Sequence, residues 1–140
     1  MNRAPLIAAS LVSAVALAAS ACGSSPTSPS DLVGRMWRLV SIEPASGSST
    51  VVSDQTRYWV EFLDATTISA RADCNTCSGR YSLSGKNVSI TALACTRAFC
   101  GADSLDTVFT QGLNDARTLT LDGGLLEIAS DTRTLKFRAE

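Results

Sequence analysis

Five cysteines, at positions 22, 74, 77, 95 and 100, constrain this chain more than any other feature, because its 140 residues contain no histidine to work beside them. Without histidine there is no Ser-His-Asp or Cys-His catalysis and no His-ligated zinc. The cysteines divide into a lone Cys22 and a cluster with the spacing Cys-x2-Cys-x17-Cys-x4-Cys. Four thiols so placed can form two disulfides or hold zinc. Cys74-Asn75-Thr76-Cys77 is by itself a Cys-x-x-Cys of the redox type. The compartment decides between these chemistries.

The N-terminus points to that compartment. Met1-Asn2-Arg3 is a short positive start, Leu6 to Ala19 is apolar, and Ser20-Ala21 brings small residues to a cleavage point. This is the pattern of a signal peptide over residues 1–21. The apolar run is too short and too rich in alanine for a membrane span, which needs about 20 residues. Ala19-Ser20-Ala21-Cys22 resembles a bacterial lipobox, with Ala19 where leucine is usual. Cys22 is therefore the expected lipidation site and membrane anchor. Residues 22–30 form a Ser/Pro tether, and residues 31–140 form the domain. Gly23 is not Asp, which favours the outer membrane, facing the periplasm. Setting Cys22 aside leaves an even number of cysteines, suited to disulfides in an oxidising compartment. Export argues against four free thiolates on zinc, and no βαβ pattern supports a thioredoxin-like site. No cofactor is expected.

Charge narrows the partners. Twelve Lys and Arg stand against thirteen Asp and Glu, with no basic block. That removes the electrostatic footprint of a nucleic-acid binder.

Within the domain the periodicity is mostly that of strands. Trp37–Ile42, Tyr58–Leu63, Thr67–Arg71, Arg80–Leu83 and Val88–Ile90 read as strands, the last two joined by the Ser84-Gly85-Lys86-Asn87 turn. Ala45 to Thr50 reads as a loop. Leu105, Val108, Phe109 and Leu113 fall at helical spacing, with Asp103 or Ser104 as the cap. Thr118–Leu121, Leu125–Ile128 and Thr134–Phe137 make a meander. The expected fold is α+β: a strongly bent antiparallel sheet or open barrel of about seven or eight strands with one helix, stabilised by disulfides.

Side chains with chemical potential are few. Trp37, Tyr58, Trp59 and Phe62 can line a groove but read better as core. Glu61 with Asp64 reads as a solvated strand end rather than a glycosidase pair. Asp103, Asp106, Asp115, Asp122 and Asp131 read as caps and turn formers, without the spacing of a calcium loop. Arg97 can bind an anion, with pairing to a nearby Asp as the plainer reading. Of the three possible disulfide connectivities, a bond between Cys74 and Cys77 is disfavoured, because in extended chain they point to opposite faces. The other two stay open.

Asp73-Cys74-Asn75, then Gly79-Arg80-Tyr81, then Leu93-Ala94-Cys95-Thr96-Arg97-Ala98-Phe99-Cys100 resemble the motifs of the META domain family in its HslJ-like form. Cys74, Asn75, Gly79, Tyr81, Thr96, Arg97 and Cys100 fall on the family pattern, as do Leu93, Ala94 and the Asp106/Phe109 pair of the helix. Trp37 and Leu39 match the opening strand. Asp73 stands where the family has glycine, which implies a less kinked backbone there. Ala98 replaces methionine. Cys77 and Cys95 stand where the family has an aromatic and a serine. The resemblance implies that these two extra cysteines pair together, leaving Cys74 for Cys100. With the N-terminal signal and the absence of histidine, the expected function is that of a non-enzymatic cell-envelope lipoprotein, a binding or scaffolding module, to which the resemblance adds an association with envelope stress. Its partner would be an envelope protein. The alternatives are a carrier of a small apolar ligand and a thiol-disulfide enzyme using Cys74 and Cys77.

Overall fold

A computed structural model describes residues 27–140; the signal peptide, Cys22 and most of the tether lie outside the described residues. Nine antiparallel strands follow in the order β1 (Met36–Pro44), β2 (Thr50–Val51), β3 (Tyr58–Phe62), β4 (Thr67–Ala72), β5 (Asn75–Ser84), β6 (Asn87–Cys95), β7 (Thr118–Asp122), β8 (Leu125–Ala129) and β9 (Arg133–Ala139). A four-residue helical turn, α1 (Pro29–Leu32), precedes them, and the helix α2 (Asp106–Asn114) sits between β6 and β7. Neighbours in sequence are neighbours in the sheet from β3 to β9, and β9 pairs back onto β1. The sheet is thus a strongly curved ring, as expected, with the short β2 added along the far half of β1.

Alternation explains the ring's interior. In β3 Tyr58, Val60 and Phe62 are buried while Trp59 and Glu61 are only half so. In β9 Leu135 and Phe137 face in, and Leu126 and Ile128 do so from β8. Trp37, Leu39, Phe62, Phe109, Leu113 and Phe137 are all fully buried. Each such side chain contributes about 1.5–3 kcal/mol on burial. Phe62 meets Tyr81 edge-on at 4.8 Å, and Phe109 meets Tyr58 edge-on at 5.9 Å. Leu32 of α1 joins this core, and its carbonyl accepts a hydrogen bond from Trp37 Nε1 at 3.2 Å.

α2 is held to the ring by Phe109 and Leu113. Gly112 lies against β9: a Cβ there would come within 3.0 Å of the Leu135 side chain. That contact explains a glycine inside a helix, where it costs about 1 kcal/mol relative to alanine. Val108, expected on the buried face, is exposed. Ser104 rather than Asp103 supports the helix start, its Oγ accepting from Asp106 N–H at 3.2 Å.

Several boundaries differ from the sequence reading, β6 among them, which runs on past Ile90 to Cys95. β5 begins at Asn75, not Arg80, so the Cys-x-x-Cys segment is itself strand. Thr50 pairs with Ile42 instead of closing a loop. Pro29 and Ser30, read as tether, form the start of α1, with Ser28 N–H donating to the Asp31 carboxylate at 2.8 Å. At the same end of the molecule, Thr27 shares a shallow hollow with Lys86, Leu121 and Leu125.

Candidate functional site

The motif residues gather where β4, β5 and β6 meet the loop leading to α2. Cys74 lies at disulfide distance from Cys100 and Cys77 from Cys95, with Cα separations of 5.5 and 4.0 Å. Cys77 and Cys95 are also direct register partners across β5 and β6. Cys74 and Cys77, weighed above as an alternative redox pair, are each matched to another cysteine.

Asn75 is the centre of this corner. It is buried, and its side-chain amide closes a two-bond ring with the backbone of Ala98. Oδ1 accepts from Ala98 N–H at 2.7 Å, and Nδ2 donates to Ala98 O at 3.0 Å. Thr96 Oγ1 donates to the same Oδ1 at 3.0 Å and accepts from Thr76 N–H at 3.0 Å. Nδ2 also reaches Asp106 Oδ2 at 3.3 Å, tying the loop to the first turn of α2. An aspartate has no N–H to donate, so the amide is needed on both sides.

Gly79 and Tyr81 shape the strand behind the loop. The register between β5 and β6 slips between Ser78 and Arg80, and Ala92 there takes φ +53°. The bulge puts Leu93 and Cys95 on the inward side that Val88 and Ile90 occupy earlier in β6. Tyr81 is buried, and its hydroxyl donates to Asp64 O at 2.8 Å. Burial, aided by the Asp64 charge, pushes its phenol above its ordinary pKa.

Asp73 overturns one expectation. It does not relax the corner: it adopts φ +61° itself. Aspartate tolerates that region better than most residues. Its buried carboxylate accepts from Arg57 Nε at 2.7 Å and from Tyr58 Oη at 3.1 Å, and forms an ion pair with Arg57. Tyr58 Oη in turn accepts from Leu105 N–H at 2.9 Å, at the foot of α2. Burial disfavours the charge on Asp73, but hydrogen bonds from Ser104, Arg57 and Tyr58 outweigh it and hold the carboxyl below its ordinary pKa. Nothing in the sequence pointed to Arg57 or Tyr58 as its partners, because sixteen and fifteen residues separate them from it.

Arg97 also departs from its plainer reading. It is exposed, and no acid stands at ion-pair distance from it among the described residues. With Phe99, which is 87% exposed, it borders a hollow of about 500 Å³ between the loop and α2. Leu93, Asp106, Thr107, Thr110, Gln111 and Asn114 are among the other residues that line it. Of the aromatics first weighed as groove lining, Trp37, Tyr58 and Phe62 are core. Asp64 caps its own turn, accepting from Thr66 and Thr67 N–H at 2.7 Å each.

Comparison with known proteins agrees with this architecture. A family model described as META domain matches residues 30–140. A solved protein from Burkholderia xenovorans superposes with a TM-score of 0.64 at 20% identity, covering 91% of this chain and 98% of its own. A DUF4847 family protein from Bacteroides vulgatus gives 0.57 at 16% identity, covering 76% and 93%. A lipocalin-like protein from Bacteroides uniformis gives 0.52 at 24% identity, covering 77% and 97%. No curated protein matches the chain.

Proposed function

The chain belongs to the META domain family, and on that footing we propose that it is a non-enzymatic binding module of the cell envelope, anchored through a lipid on Cys22. The hollow beside Arg97 and Phe99 is its contact surface. One observation carries this reading. A loop fixed by Asn75 and two cysteine pairs holds an arginine without an acid and a phenylalanine in water. Arginine and aromatic side chains are the types that dominate interface energetics. Rigid presentation lowers the ordering cost of binding.

The carrier alternative has less support. The middle of the ring is filled by Trp37, Phe62, Phe109 and Phe137, all fully buried, where an apolar ligand would have to sit. The thiol-disulfide alternative needs Cys74 and Cys77 as partners, and each faces a different cysteine. A role in envelope stress follows from the family association alone.

The test is a native pull-down from the membrane fraction, comparing wild type with an Arg97→Glu/Phe99→Ser double variant. A protein partner retained by wild type and lost by the variant supports the surface. Identical recovery by both, or a stoichiometric lipid in place of a protein, overturns it.

A further inference from the structure

β6 is paired along its length on one side and almost nowhere on the other. β5 takes it from Asn87 to Cys95, whereas β7 meets it at one register pair, Asn87 with Thr118. Val88 N–H to Arg117 O at 2.9 Å and Leu119 N–H to Lys86 O at 2.8 Å complete that contact. Beyond it, among the described residues, no backbone hydrogen bond joins β6 to a neighbour on this side. Strand backbone groups alternate in direction, so Ile90, two residues after Val88, turns its N–H and C=O to the same unpaired side, where the residue keeps 5% exposure. A row of unpaired donors and acceptors is complementary to another extended backbone.

α2 flanks this edge. Thr107, Thr110, Gln111 and Asn114 are spaced as one helical face and line the hollow together with Leu93 and Arg97. We propose that the open edge of β6 binds an extended peptide by strand addition, with an acidic group of the peptide at the end that lies by Arg97. The charge requirement comes from the hollow itself. Its carboxylate, Asp106, is already engaged by Asn75 Nδ2 at 3.3 Å and Thr107 N–H at 2.7 Å. Arg97 is the charged side chain of the hollow with neither a hydrogen-bond nor an ion-pair partner among the described residues, and complementarity asks for an acid. A second copy of the ring fits less well, because α2 flanks the edge and another ring would bring its own α2 against it.

This deepens the binding-module reading and rests on it. The experiment uses the natively processed, isotope-labelled protein and three synthetic heptapeptides of alternating Thr and Val. One ends in Asp, one has Lys in its place, and one is the Asp peptide N-methylated at alternate residues. The Asp peptide is expected to shift β6 resonances from Ser89 to Cys95 and to slow amide exchange at Ile90. The Lys and N-methylated peptides should bind about tenfold more weakly or worse, and Arg97→Glu should reverse the Asp/Lys preference. Equal binding of the N-methylated peptide, binding without slowed exchange on β6, or no binding by any probe overturns the proposal. So does self-association that protects Ile90, which would assign the edge to a second copy. A pull-down partner that depends on Arg97 and Phe99 yet leaves Ile90 exchange unchanged sinks strand addition while the binding-module reading stands. A pull-down insensitive to both residues sinks the two together.

Discussion

Gly79 sits opposite the bulge that holds Ala92 at φ +53°. Ser78 pairs with Ala94 and Arg80 with Thr91, so Gly79 alone faces both Ala92 and Leu93. A Cβ at position 79 would lie 3.1 Å from Leu93 Cα and 3.1 Å from Thr91 O. Both obstacles are backbone and cannot swing aside. Gly79→Ala is expected to cost about 1–3 kcal/mol by overpacking. Ala92→Gly is expected to stabilise by about 1 kcal/mol, since glycine relieves the left-handed backbone. Urea unfolding of both variants checks the opposite signs, and a neutral Gly79→Ala would show that the bulge adapts.

Asp73 supplies a second ordering. Asp73→Ala loses the bonds to Arg57 and Tyr58 and must also hold φ +61°, whereas Asp73→Gly loses only the bonds. Alanine should therefore be the worse by about 1–2 kcal/mol. Because the folded carboxyl sits below its ordinary pKa, its contribution is complete above the ordinary value of about 4 and is lost as pH falls through the folded value. The denaturation midpoint of wild type should drop toward low pH more than that of Asp73→Asn. Parallel pH profiles would remove Asp73 from the acid response.

The cysteine pairs make a third prediction. Peptide mapping of the non-reduced protein should find Cys74 joined to Cys100 and Cys77 to Cys95. Replacing Cys77 and Cys95 together by serine should leave a folded domain weaker by about 3 kcal/mol, the loop-closure value for a separation of 18 residues. Replacing one alone should do more harm, since the orphan thiol can form wrong bonds. A Cys74–Cys77 peptide, or zinc on four reduced thiols, would refute the pairing.

A fourth concerns the anchor. Cys22→Ala should move the protein from membrane to soluble fractions or stall its processing. Mass spectrometry of the wild-type N-terminus is the direct check. An unmodified terminus downstream of Cys22 would end the lipoprotein reading.

The parts of the fold legible in the sequence were those with a local period. Tyr58/Val60/Phe62 and Leu135/Phe137 alternate, and their strands stand where the alternation puts them. Phe109 and Leu113 mark the helix in the same way. The stretch from Asn75 to Gly79 was hidden because Asn, Ser and Gly are loop and turn formers by propensity. They become strand only through register with β4 and β6. The left-handed Asp73 was misread because its partners, Arg57 and Tyr58, arrive through tertiary contact. At the candidate site the motif residues were visible as letters. Their roles, such as the Asn75 ring around Ala98, belong to geometry that spacing does not carry.

β5 runs ten residues from Asn75 to Ser84, about 30 Å of strand. Thr27, which shares a hollow with Lys86, lies past one end of it, and the Asn75 corner with its Arg97 loop lies at the other. The polypeptide therefore joins the ring at the pole opposite the proposed contact surface. With a lipid on Cys22, the five residues to Thr27 add at most about 17 Å of reach. On that reading the ring is a spacer between the lipid and the Arg97 loop, with the length of β5 setting the distance. A flexible tether fixes where the ring is attached but not how it is turned, so lengthening it would widen the volume that the Arg97 loop sweeps.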